Sequence, residues 1–180
     1  MKKLLLTTAL VGFAGAAQAQ DVPLGIIFGF TGPLESITPA MAQAAEMAIA
    51  EVNESGQFSL GTVTSVRGDD GCIDSGLAVA TAERLVTSDR VLGIVGADCS
   101  GVTGAILQNV ARPNGVVMIS PSATSPALST AEDDGLFFRT APSDARQGQV
   151  VADILSDRGV TSIAISYTNN DYGAGLADSI

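Results

Sequence analysis

Four short apolar runs, residues 23–30, 61–67, 91–96 and 116–120, alternate with three stretches whose apolar residues recur at helical spacing. The first run, PLGIIFGF, is apolar almost without interruption, as a strand buried on both faces must be. The run at 61–67 is weaker, because Thr and Ser carry much of it. Strand and helix in strict succession leave few solutions. Right-handed crossovers stack the strands side by side in a parallel sheet with helices on both faces, an α/β architecture.

The helical stretches have their own punctuation. Thr38 is expected to cap the first, with Pro39 at its first helical position, and Met41, Ala44, Ala45, Ala48, Ile49 and Val52 to form its apolar stripe. Asp74 or Ser75 caps the second, whose Ala78, Ala82, Leu85 and Val86 share a face. Val102, Ala105, Ile106 and Val110 mark the third, and Pro113, Asn114 and Gly115 end it. Beyond residue 120 the rhythm changes. GLFFRTAPSD reads as a short extended crossing segment, Val150, Val151, Ile154 and Leu155 line a fourth helix, and TSIAIS at 161–166 is expected to be a strand. A boundary is expected near residues 140–143, giving a first unit over 20–141 and the start of a second over 142–180. The last residues read as a helix just beginning, so the chain is expected to be a piece of a longer protein.

The N-terminus carries Lys2 and Lys3, an apolar run over residues 4–17, and Ala17-Gln18-Ala19. This is the pattern of a cleaved export signal, with cleavage expected after Ala19. No run reaches the roughly 18 apolar residues of a membrane helix. Removing residues 1–19 takes both lysines and leaves seven arginines against nineteen acids, a net charge of about −12. Such a chain repels nucleic acid and anionic membranes, and otherwise the charge speaks to solubility. Cys72 and Cys99 are the two cysteines. Export favours a disulfide between them, with two separate buried thiols as the alternative.

In an open parallel sheet, ligands bind beyond the carboxyl ends of the strands, where strand order reverses. The loops at those ends are 31–38, 67–75, 97–101 and 120–126, and most are rich in hydroxyls. Ser100 stands before a helix start, where open N–H groups and a partial positive charge receive a carboxylate well. Its hydroxyl caps that helix, serves a ligand, or does both. Ser122 and Thr124, in SPSATSP, are turn residues or further donors to such a site. Catalysis finds little support. The chain has no histidine, so no Ser-His-Asp or Cys-His set can be assembled from it. YGAGLAD has Asp178 where a dinucleotide fingerprint requires a third Gly or Ala. GDDG at 68–71 is a weak cation signal and reads as a solvated turn.

Taken in order, TGP after the first strand, DDGC after the second, CSG after the third, MISPSATSPAL after the fourth, FFRT at the crossing and NNDYGAGLA near the end carry a likeness. The chain resembles the periplasmic leucine/isoleucine/valine-binding proteins, type I solute-binding proteins of amino-acid ABC transporters, from about Val22 to Ile180. The resemblance implies two Rossmann-like lobes that close over a solute, the first largely present here but lacking its returning segment, the second truncated. It implies that Cys72 and Cys99 pair, that Ser100 and Thr124 hold the solute's α-carboxylate, that the main chain through Ser122, Ala123 and Thr124 helps hold its α-ammonium, and that Tyr172 faces the cleft from the second lobe. It implies no catalysis, no cofactor and no metal. The expected partners are a small amino acid, branched-chain foremost, or a related amide or carboxylate, and a membrane ABC permease; the protein is expected to be a periplasmic monomer that binds no nucleic acid. The pattern departs in the loop after the first strand, where LESITP places Glu35 and Ile37 instead of the aromatic that amino-acid binders often carry. A ligand-sensing module of a receptor on the same fold is the alternative reading.

Overall fold

A computed structural model describes residues 20–180, so the export signal expected at residues 1–19 lies outside the described part. Five strands, β1 (Val22–Phe28), β2 (Val63–Asp69), β3 (Gly93–Gly96), β4 (Val117–Ser120) and β5 (Phe137–Arg139), form one parallel sheet in the order β2-β1-β3-β4-β5. The four strands expected before residue 121 are all present. The extended crossing segment adds itself as β5, pairing Phe137 with Met118 and Arg139 with Ser120.

Strand periodicity sends neighbouring side chains to opposite faces. Ile26 and Phe28 point to one face, where they meet Ala42 of α1 (Thr38–Glu54), while Ile27 points to the other. On that second face Ile27, Ile94, Met118 and Phe137 pack against Ala78, Ala82 and Leu85 of α2 (Ser75–Thr87) and Val102 and Ile106 of α3 (Ser100–Ile106). Helix α3 runs on through a π-helical stretch (Leu107–Ala111) into α4 (Arg112–Asn114), and Gly115, at a φ of +66°, ends it in the left-handed conformation that glycine adopts without strain. The face carrying α1 is covered only in part. Val117, Ile119 and Phe138 on β4 and β5 remain 38%, 41% and 53% exposed.

Two local expectations are corrected. Thr38 is not the cap of α1; Ile37 holds that position, and the buried Thr38 hydroxyl donates instead to the carbonyl of Gly29 at 2.8 Å. A carbonyl just past a strand end has lost its ladder partner and, once buried, needs a donor. Residues 161–166 form no strand, and Ile163 and Ile165 are exposed. A strand is stabilised by the ladder of a neighbour, and the described residues after Arg139 contribute two helices, α5 (Asp144–Asp157) and α6 (Asp171–Ala177), but no second strand to pair with it.

Candidate functional site

The sheet order places β1 between β2 and β3, and the chain leaves β1 towards α1 on one face and β3 towards α3 on the other. A crevice therefore opens at the carboxyl ends of β1 and β3, where strand order reverses. The loops after β1, β2, β3 and β4 close around it. Asp74 caps α2, accepting from the N–H groups of Gly76 and Leu77 at 2.9 and 3.0 Å. The Cys72–Cys99 disulfide ties the loop after β2 to the residue that precedes α3, with Cα atoms 5.2 Å apart.

The GDDG turn is two different sites. Asp69 accepts from the Thr31 hydroxyl at 2.7 Å and from the N–H groups of Thr31 and Gly71. Burial pushes its carboxyl up, but the bonds from Thr31, Gly71 and Phe30 outweigh that and hold it below the usual range. Asp70 is fully buried, which corrects the reading of the turn as solvated. The sheet continues past Phe28 far enough for Asp70 N–H to donate to the Phe28 carbonyl, and this turns the second carboxyl inward.

A cleft of about 870 Å³ lies over these loops. Ser100 and Ser122 line it from the sheet side, Pro33, Leu34, Ile73 and Val102 give it apolar walls, and residues 168–172 face them across it. Asp98 and Asp171 are its acids, and no lysine or arginine lines it. Ser100 is the first residue of α3, and its hydroxyl accepts from the Ser125 N–H at 3.1 Å without capping the helix. Its own hydrogen makes no bond among the described residues, which leaves the hydroxyl free to donate. The Ser122 hydroxyl donates to the Asp98 carbonyl at 2.9 Å.

The structure brings Ser100, Ser122 and Tyr172 together around this cleft and places the other two expected residues elsewhere. Ala123 is fully buried, its N–H donating to the Ser120 hydroxyl and its carbonyl accepting from Arg139. Thr124 donates to Asp144 Oδ2 at 2.8 Å and lines a separate hollow of about 270 Å³ with Ser143 and Val150. Tyr172 stands in the first turn of α6, whose cap is Asn170. That helix docks through Gly175 on Ser125 and Pro126, where a β-carbon would come within 2.8 Å of the proline ring.

Sequence reasoning missed Asp98, Asp171 and Arg139. The Arg139 guanidinium donates to the carbonyls of Ala123 and Ser125 and to the Ser129 hydroxyl, so it is the residue that fixes the Ser/Thr/Pro rim. An arginine at the end of a short strand beside a proline-rich loop was the available signal.

The family model described as "Receptor family ligand binding region" matches residues 40–180. The Leu/Ile/Val-binding protein of Escherichia coli K12 is 32% identical over 180 residues, covering 99% of this chain and 48% of its own length. Leu/Ile/Val-binding protein homolog 3 of Brucella melitensis is 33% identical over 172 residues, with 95% and 45% covered. The chain spans about half the length of the curated relatives it matches. Among solved structures, the branched-chain amino acid transporter substrate binding protein LivJ of Streptococcus pneumoniae, in complex with isoleucine, superposes with a TM-score of 0.74 at 26% identity, covering 89% of this chain and 45% of that one. A solute binding protein of an ABC transporter from R. palustris, in complex with 4-hydroxybenzoate, reaches the same TM-score at 20% identity over 89% and 42% of the two chains, a likeness of fold.

Proposed function

The chain belongs to the receptor family of ligand-binding regions, and from that premise we propose that it is part of an extracytoplasmic solute-binding protein that captures an amino acid, branched-chain foremost, and delivers it to an ABC permease. The observation that carries the reading is the cleft itself. It lies at the switch point of the sheet, is lined by the Ser100 hydroxyl, offers aliphatic walls at Leu34 and Ile73, and has no lysine or arginine in its lining. A hydroxyl beside the open N–H groups of a helix start suits the solute's carboxylate, and an acid such as Asp171 suits its ammonium.

In this reading residues 20–141 are the first lobe and 142–180 the start of the second, and the solute favours the closed form by touching both. Ser100 and Ser122 contact it from the first lobe and Tyr172 from the second, while Thr124 joins them by exchanging Asp144 for the solute. The protein works without catalysis, as a periplasmic monomer exported by residues 1–19. Titration calorimetry of the full chain against amino acids, amides and small carboxylates tests this. An aliphatic amino acid should give the tightest binding, and Ser100→Ala should weaken it at least tenfold. A panel in which aromatic carboxylates bind and amino acids do not would overturn the assignment.

A further inference from the structure

Directly under the cleft, two carboxyl groups are buried against each other. Asp70 is 0% and Asp98 3% exposed. Asp70 Oδ1 accepts from the Cys72 N–H at 2.8 Å, and Asp98 Oδ1 accepts from the Gly29 N–H at 3.2 Å. The remaining oxygens, Asp70 Oδ2 and Asp98 Oδ2, are buried without a partner, although the two side chains lie within hydrogen-bonding reach of one another. Gly29 touches both residues. A β-carbon there would stand 3.1 Å from Cys72 and 3.4 Å from Asp70 Oδ1, so a side chain at this position would have to push the Cys72 and Asp70 loop aside. The charged groups that act on Asp70 are Asp98, from the loop after β3, and Asp69, its own neighbour; both are acids. The loop after β1 contributes only a main-chain N–H.

Two carboxylates in contact, buried and without a cation, cannot both ionise. We propose that Asp70 and Asp98 share one proton, the Asp70 Oδ2–H donating to Asp98 Oδ2, and that this bond locks the loops after β1, β2 and β3 together as the floor of the cleft. All four carboxyl oxygens then have partners. The pair is a positioning device, since Asp98 accepts at its carbonyl from Ser122 and leads through Cys99 into Ser100.

Burial first and the Asp98 charge second push the Asp70 carboxyl up to about 8. The unfolded chain holds the same group near about 3.9. The folded state therefore binds the proton more tightly, and the stabilisation is complete below the unfolded value and lost as pH rises through the folded one.

The test is thermal unfolding of the full chain without solute, from pH 5 to pH 9, for the parent, Asp70→Asn, Asp98→Asn and the double variant. The parent's melting temperature should fall by several degrees between pH 7 and 9. Asp70→Asn should remove that fall, because its amide donates to Asp98 Oδ2 at every pH. The double variant should melt well below both singles, because two amide NH2 groups then face each other without an acceptor. Infrared spectroscopy of the parent in D2O supplies a readout that needs no variant: a protonated-carboxyl band should persist at pH 6 and vanish by pH 9. An unchanged pH slope in Asp70→Asn, absence of the band at pH 6, or a melting temperature that rises with added Ca2+ or Mg2+ would each overturn the shared proton. None of these readouts uses a solute, so their failure is separate from failure of the solute-binding reading.

Discussion

Cys72 and Cys99 are joined across 27 residues, and their bond links the loop after β2 to the residue from which α3 starts. Closing a loop of that size removes conformational freedom from the unfolded chain worth about 3.5 kcal/mol in the chain-entropy model. The double substitution Cys72→Ser with Cys99→Ser should lower the unfolding free energy by about 2–4 kcal/mol, read by urea denaturation. A loss near zero would place the constraint in the folded loops and not in the bond.

Asp74 accepts two N–H groups at the start of α2. Asp74→Ala should destabilise the chain by about 1 kcal/mol, and Asp74→Ser by only a fraction of that, because a serine oxygen can take the same bonds. Urea midpoints of the three proteins separate the outcomes.

Leu85 lies fully buried between α2 and β1, within reach of Gly25 and Gly68, whereas Leu92 is 61% exposed. Leu85→Ala should cost about 2–5 kcal/mol, transfer and cavity terms together, while Leu92→Ala should stay within about 0.5 kcal/mol. Equal losses at the two sites in equilibrium unfolding would contradict the described packing.

Asp69 and Asp70 are neighbours in sequence and should oppose each other in pH dependence. The Asp69 carboxyl is held below its usual range by Thr31 and the main-chain N–H groups, against the opposing pull of burial. Its contribution is present above the unfolded value of about 3.9 and is lost as pH falls through the folded one. Asp69→Asn should flatten the acid limb of a melting-temperature profile below pH 4 and keep the alkaline limb, moved slightly to lower pH because the Asp69 charge that helps raise Asp70 is gone.

Thr124 and Asp144 bond to each other twice, hydroxyl to Oδ2 and Asp144 N–H to the Thr124 carbonyl. Thr124→Val should leave the buried Asp144 oxygen without that donor and cost about 1–3 kcal/mol. If Thr124 also turns to the solute, the variant should lose affinity as well, by calorimetry with leucine. Lost stability with unchanged affinity would confine Thr124 to a structural role.

The parallel sheet was legible because each strand run, each helical stripe and most helix punctuation marks agreed on one periodicity. Asp74 or Ser75 was expected to cap α2, and Asp74 does; Pro113, Asn114 and Gly115 were expected to end the third helix, and Gly115 is the residue that does. The failures came where a residue's role depends on something distant. Thr38 has the chemistry of a cap, yet the buried Gly29 carbonyl nine residues earlier claims its hydroxyl. TSIAIS has the composition of a strand, but composition supplies no neighbour to pair with.

The sequence by itself determined the α/β class, the strand positions and the loops that surround the cleft, because hydrophobic periodicity and turn chemistry are local properties. Only the tertiary structure decided which hydroxyls face the cleft. Ser120, Ser122 and Thr124 sit within five residues and are alike in chemistry, yet Ser120 bonds the Ala97 carbonyl, Ser122 lines the cleft and Thr124 turns to Asp144. It also decided that, of two adjacent aspartates, one stays ionised at the surface and the other is buried against Asp98. A buried polar group takes whatever partner the fold brings within about 3 Å, and that partner comes from a remote part of the chain.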